Sequence, residues 1–173
     1  MGVNMLLTIG GIILLSTFIL YASGLMSDNV KISSDNEYVI TAIGLGQSLI
    51  EEAKLKAFDE ATAAGTVNAA SQLSAANILG SDNGETVQNP DTAAANGSAS
   101  FAKFDDVDDY NGYVRIVNTP RAENYRVRAT VNYASETYPD SVKTIQTFCK
   151  RMTVTVTSAY FPQPVNLYYS FTY

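Results

Sequence analysis

Apolar residues open the chain in a nearly unbroken block and then fall into a helical and finally a strand rhythm. From Met5 to Met26 the run MLLTIGGIILLSTFILYASGLM holds twenty-two residues without a charge, and no charged side chain precedes Asp28. As a helix rising about 1.5 Å per residue it spans about 33 Å, the depth of a bilayer's hydrocarbon layer. Beyond Asp28, Val39, Ala42, Ile43, Gly46, Leu49, Ile50, Ala53 and Ala57 recur at steps of three and four, one stripe of an amphipathic helix. Glu51, Glu52, Lys54, Lys56, Asp59 and Glu60 fall mostly on its polar surface. The helix is expected to run to about Ala64, where Gly65 offers a stop. Between the two stretches, SDNVKISSDNEY and the pairs Gly10–Gly11 and Gly44/Gly46 weaken helical structure. The pattern is compatible with a continuous, a kinked or a locally unwound rod. Ser34 or Asp35 would cap a separate second helix, with Glu37 at capping-box distance from Ser34.

From Ala61 to Ser100 the composition turns to Ala, Gly, Ser, Thr and Asn. This predicts a long loop with a short helix near Ala69–Ile78. Period two takes over from Tyr113. Val127, Ala129, Val131 and Tyr133 alternate with polar neighbours, as do Val165, Leu167, Tyr169, Phe171 and Tyr173. With Gly112–Asn118 and a run over Val142–Ser158 that slips phase near Thr147, they predict a four-stranded antiparallel sheet. Pro139-Asp140 and Pro162-Gln163-Pro164 are read as its turns. The fold class is α+β, with the stripe Val39–Ala57 covering the apolar face of the sheet. The chain divides into a long helix over 1–64, of which 1–27 is the apolar assembly or membrane segment, a variable loop region over 65–111, and the sheet over 112–173.

Charge and composition exclude several chemistries. Seventeen acidic against eleven basic residues give a net charge of −6, which disfavours nucleic acid as a partner. There is no histidine, so Ser/His/Asp and Cys/His nucleophilic machinery is excluded and the commonest metal ligand is missing. The single cysteine, Cys149, cannot form a disulfide within the chain or hold zinc, and is expected as a small buried residue in a strand. Neither Lys nor Arg precedes Lys31, unlike the basic start of a secretory signal, so the apolar segment is expected to persist in the mature protein. No enzymatic activity is expected.

Candidate sites follow from local clusters. Asp105, Asp106, Asp108, Asp109 and Asn111 offer oxygen ligands at near-alternate spacing, which suits calcium; the competing reading is a solvated turn. Calcium apart, no cofactor is expected. Asn96-Gly97-Ser98 fits a glycosylation sequon. Arg126, Arg128, Lys150 and Arg151 are read as solvated strand faces available for exposed ion pairs. Eleven tyrosines without a tryptophan point to core and subunit contacts.

A chargeless N-terminal helix prolonged by an amphipathic half, a variable loop and a small antiparallel sheet resembles type IV pilins and related pilin-like subunits. The string Lys150–Thr157 is similar to the late strand of many such proteins, and FDDVDDYNGY at Phe104–Tyr113 adds local likeness. The family's basic, glycine-terminated leader and early glutamate have no counterpart before Asp28, which points to a divergent pilin-like filament subunit. The resemblance implies a structural subunit of an extracellular pilus-like filament, polymerised as a helical homopolymer through Leu6, Leu7, Ile9, Gly10, Gly11, Ile12, Ile13, Leu14, Leu15, Phe18, Ile19, Leu20 and Leu25. It further implies a precursor pool in the inner membrane and contact with pilus assembly machinery. The alternative is a membrane-anchored minor pilin-like or pseudopilin-like accessory protein of an assembly or secretion apparatus.

Overall fold

The computed structural model describes residues 2–82, 84–92 and 99–173. Helix α1 runs without interruption over Gly2–Ala53, so the polar stretch between its two halves is helical. The chain forms two compact units, Met1–Tyr38 and Val39–Tyr173, and α1 contributes to both. In the first unit the large apolar side chains from Val3 to Met26 are all exposed.

In the second unit the predicted stripe is the packed one. Ala42, Gly46, Leu49, Ile50 and Ala53 are buried, and Val39 and Ile43 are half-buried. The stripe lies on the sheet where side chains are smallest: a Cβ at Gly46 would stand 2.6 Å from Leu167 Cδ1 and 3.4 Å from Val156 Cγ2, so glycine permits that approach. Glu52 is buried too, a correction to its placement on the polar surface.

α1 ends earlier than expected, at Ala53. Its last turn tightens, Leu55 N–H donating to Glu52 O and Lys56 N–H to Ala53 O. Ala57 then pairs with the acidic loop, its N–H donating to Asp105 O at 2.9 Å and its carbonyl accepting from Val107 N–H at 3.0 Å. Asp59, extended at φ −163°, caps a separate helix α2 over Glu60–Ala64, with Thr62 completing a capping box. The backbone groups that would have continued α1 are thus taken by the loop and by a new cap.

In place of the expected short helix near Ala69–Ile78, the chain forms a 3-10 turn at Ala70–Gln72. Ser74 explains the difference, because its N–H and hydroxyl both donate to Asp59 and draw the chain out of helical register. Val67, Leu73 and Leu79 pack instead with Phe58 and Tyr133 in a satellite core. A five-residue helix, α3, covers Ala99–Lys103.

The sheet is antiparallel in the order β1-β2-β3-β4: β1 Val114–Val117, β2 Tyr125–Tyr133, β3 Cys149–Ser158 and β4 Phe161–Thr172. Val127, Val156 and Val165 share one cross-strand row of the core face, and Tyr133, Lys150 and Phe171 another. The phase slip near Thr147 marks where β3 begins, while Val142 makes an isolated bridge to Ala134. Pro139-Asp140 is a turn as expected, but Pro162 and Pro164 lie inside β4 and the reversal falls at Ala159-Tyr160. β4 is an edge strand, so one row of its N–H groups needs no partner and proline is tolerated there.

Candidate functional site

The assembly candidates Leu6, Leu7, Ile9, Ile12, Ile13, Leu14, Leu15, Phe18, Ile19, Leu20 and Leu25 lie on one continuous helix, each at least 48% exposed. A Cβ at Gly10 or Gly11 would meet nothing within 4 Å, and these glycines floor a groove edged by Val3, Leu6, Leu7 and Leu14. Two of its hydroxyls are satisfied inside the helix: Thr8 Oγ1 donates to Asn4 O at 2.7 Å and Thr17 Oγ1 to Leu14 O at 2.9 Å. Such a surface has little to offer water and loses free energy at about 25 cal/mol per Å² when covered. It is suited to lipid or to other apolar helices.

The second unit carries two buried charge centres that the periodicity reading left on the surface. In the first, Arg115 Nη2 donates to Glu52 Oε2 at 2.6 Å and to Ser100 Oγ at 3.0 Å. Glu52 Oε1 also accepts from Ser100 Oγ and from Tyr110 OH at 3.0 Å, and Tyr113 OH donates to Asp91 Oδ2 at 2.8 Å. Burial pushes Tyr113 up to about 12 and Tyr110 higher still. Burial opposes the charge on Arg115, but Tyr113 and Glu52 outweigh it and hold the guanidinium above its ordinary value. The centre ties the end of α1 to α3 and β1.

In the second centre, Lys150 is wholly buried on the core face of β3. Its Nζ donates to Phe58 O at 2.8 Å, to Asp59 Oδ2 at 2.7 Å and to Asp108 Oδ1. Asp106, Asp108 and Asp109 are buried as well, which overturns the solvated-turn reading of this loop. Lys150 likewise departs from the solvated face, whereas Arg126 and Arg128 are exposed as expected and Arg151 is half-buried over the Tyr168 ring. Burial pushes Asp106 up to about 9, with Asp108 adding and Lys150 opposing. Burial also raises Asp108 against the pull of Lys150, and raises Asp109. Asp59 moves the other way: burial opposes its charge, but Lys150 and the Ser74 and Ala61 amides outweigh it and hold it below the usual carboxylate range.

The calcium candidates do not converge as one set. Asp105, Asp106 and Glu60 form one trio of neighbouring carboxylates, and Asp105, Asp109 and Glu85 another. Asp108 turns inward to Lys150, and Asn111 bonds Leu79 O and Val131 N–H. Burial and Asp109 push Glu85 up to about 7. Asn96 lies outside the described residues.

Both buried centres had a legible signal. Lys150 keeps step with Met152, Val154 and Val156 on the inward period of β3, and Glu52 stands three residues after Leu49 at the edge of the buried stripe. Cys149 is free and buried in β3, as expected, and burial raises its thiol. Among the described residues no buried side-chain nitrogen or oxygen lacks a hydrogen-bond partner. These centres are therefore saturated internal braces. No family model, curated protein or solved structure matches the chain, so its pilin-like architecture rests on the long apolar N-terminal helix and the small antiparallel sheet themselves.

Proposed function

We propose that the chain is the structural subunit of an extracellular pilus-like filament, polymerised through the apolar part of α1. The observation that carries this reading is the exposure of every large apolar side chain from Val3 to Met26 on an unbroken helix. In water that surface is unfavourable, and burying it among copies of the same helix removes the cost. Gly10 and Gly11 let backbones approach closely in such a bundle. Contacts between copies that do not close into a ring generate an open helical polymer. Before assembly the same segment sits in a membrane, since its length and hydropathy suffice for a span.

Negative-stain microscopy of material sheared from cells, labelled with an antibody to the second unit, tests the proposal. Labelled fibres are expected; cells that make the protein and shed no labelled fibres count against it. The membrane-span length of the helix also fits a minor, anchored pilin-like accessory protein. Copy number separates the two, because a bulk subunit is abundant and an accessory protein is not.

A further inference from the structure

Lys150 joins three features seldom found together: an amine with no solvent exposure, a carboxyl in direct contact with it, and further carboxyls packed behind that one. The Phe58 ring lies 4.8 Å from Nζ and the Tyr133 ring 5.4 Å, so aromatic faces wall the amine. Asp59, the other carboxylate on Nζ, is held independently by Ala61 N–H, Ser74 N–H, Ser74 Oγ and Tyr133 OH. Its satisfaction does not depend on the lysine. Among the described residues Asp108 shows no comparable set of donors, and Asp106, buried two residues before it, is near enough for the two carboxyls to act on each other. Three buried carboxyls, Asp59, Asp106 and Asp108, thus share one ammonium, and a site of low polarity does not hold that excess of negative charge without a proton.

We propose that Lys150 Nζ and Asp108 Cγ condense into an intramolecular amide, with Asp106 as the proton shuttle and Asp59 as the group that orients the amine. The ammonium first passes a proton to the Asp108 carboxylate, which neutralises the pair in surroundings that disfavour separated charges. The nitrogen lone pair then forms the C–N bond at Cγ while the carbonyl electrons move to oxygen. Asp106 donates its proton to the departing hydroxyl, the C–O bond breaks, and water leaves. The nitrogen returns its surplus proton to Asp106. One ammonium and one carboxylate become one amide and one water, with no oxidant, reductant or other co-reactant. Contact between fixed partners supplies the effective concentration the step requires. Asp59 is the poorer acceptor, because its donors hold it as an ionised carboxylate.

The product bonds β3 to the loop that precedes β1, a covalent brace in a chain whose lone cysteine cannot supply one by internal disulfide. It does not depend on polymerisation and stands or falls separately from the filament reading.

Tryptic mapping of the denatured full-length protein tests it without a variant. Cleavage after Lys103, Arg115, Lys143 and Arg151 should release a branched peptide joining 104–115 to 144–151, lighter than their sum by one water, with no cut after Lys150. Full recovery of linear 104–115 and 144–150 overturns the proposal, as does a water loss confined to unbranched 104–115, the mark of a cyclic imide. Asp108→Asn should form the same bond with loss of ammonia in place of water. Asp106→Asn should yield mainly linear peptides, and an undiminished branched peptide in that variant overturns the shuttle role.

Discussion

Arg115 Nη2 meets Glu52 Oε2 at 2.6 Å, both side chains about nine-tenths buried, so β1 is fastened to the last turn of α1 by an ion pair that water scarcely reaches. Removing one partner leaves the other charge buried without its counter-ion. Arg115→Ala is therefore expected to cost about 3–5 kcal/mol of stability in the second unit. Arg151 and Asp140 offer the contrast: they lie 3.5 Å apart with Asp140 nearly fully exposed, and Asp140→Ala should cost no more than about 1 kcal/mol. Denaturant titration of the detergent-solubilised chain checks both, and equal losses would contradict the assignment of a buried brace.

The glycines of α1 make a second paired prediction. At Gly46 a Cβ would come within 2.6 Å of Leu167 Cδ1, forcing that side chain to shift against Val154 and Val156; at Gly44 it would meet nothing. Gly44→Ala is expected to stabilise by up to about 1 kcal/mol through helix propensity alone. Gly46→Leu should destabilise by about 1–3 kcal/mol or more, because added volume has no room between helix and sheet. Opposite signs in the two melting temperatures are the result to look for.

What could be read from sequence divides along a physical line. Periodicity located the buried stripe of α1 and the four strands, because one-sided burial imposes periods of 3.6 and 2 that survive in composition. It misread positions where charge is buried by partners distant in sequence. Glu52 is matched by Arg115 and Lys150 by Asp59 and Asp108, and neither pairing leaves a local trace. The end of α1 was hidden for the same reason: Ala57 pairs its backbone with the loop around Asp106, far along the chain. Prolines in β4 were misread as turns because whether a strand lies at an edge is a property of the assembled sheet.

Stability should depend on pH with an unusual sign. Burial, with Asp108 and Asp109 adding and Lys150 opposing, raises Asp106 from 3.8 to about 9 in the folded chain. Unfolding exposes a carboxyl that releases its proton throughout that window. Stability from this group is complete below 3.8 and is lost as pH rises toward about 9, at up to about 1.4 kcal/mol per pH unit. Glu85, raised from 4.5 to about 7, adds a smaller loss in its own window because it is partly solvated. Asp59 is lowered, so its contribution disappears only when pH falls below the ordinary carboxylate range. Denaturant titrations at about pH 5 and about pH 9 should show the wild-type chain weakening with alkalinity and Asp106→Asn weakening less. A wild-type profile flat between those limits would remove the argument.

The apolar helix yields the prediction that separates polymer from anchor. Ile13→Lys places a charge in the middle of the uncharged run, at an insertion cost of about 2.5–3.5 kcal/mol at the centre of a span. It is expected to reduce membrane retention and filament yield together. Gly11→Leu keeps the segment uncharged, so a helix held only by lipid should tolerate it. In a bundle, however, the leucine fills the groove edged by Val3, Leu6, Leu7 and Leu14 and holds neighbouring backbones apart. Membrane fractionation beside microscopy of sheared material should therefore find Gly11→Leu fully membrane-retained yet poor in fibres. If Gly11→Leu polymerises as well as the parent chain, helices do not pack through the Gly10–Gly11 face and the contact lies elsewhere on α1. If Ile13→Lys leaves retention unchanged, the segment is not what holds the protein to lipid.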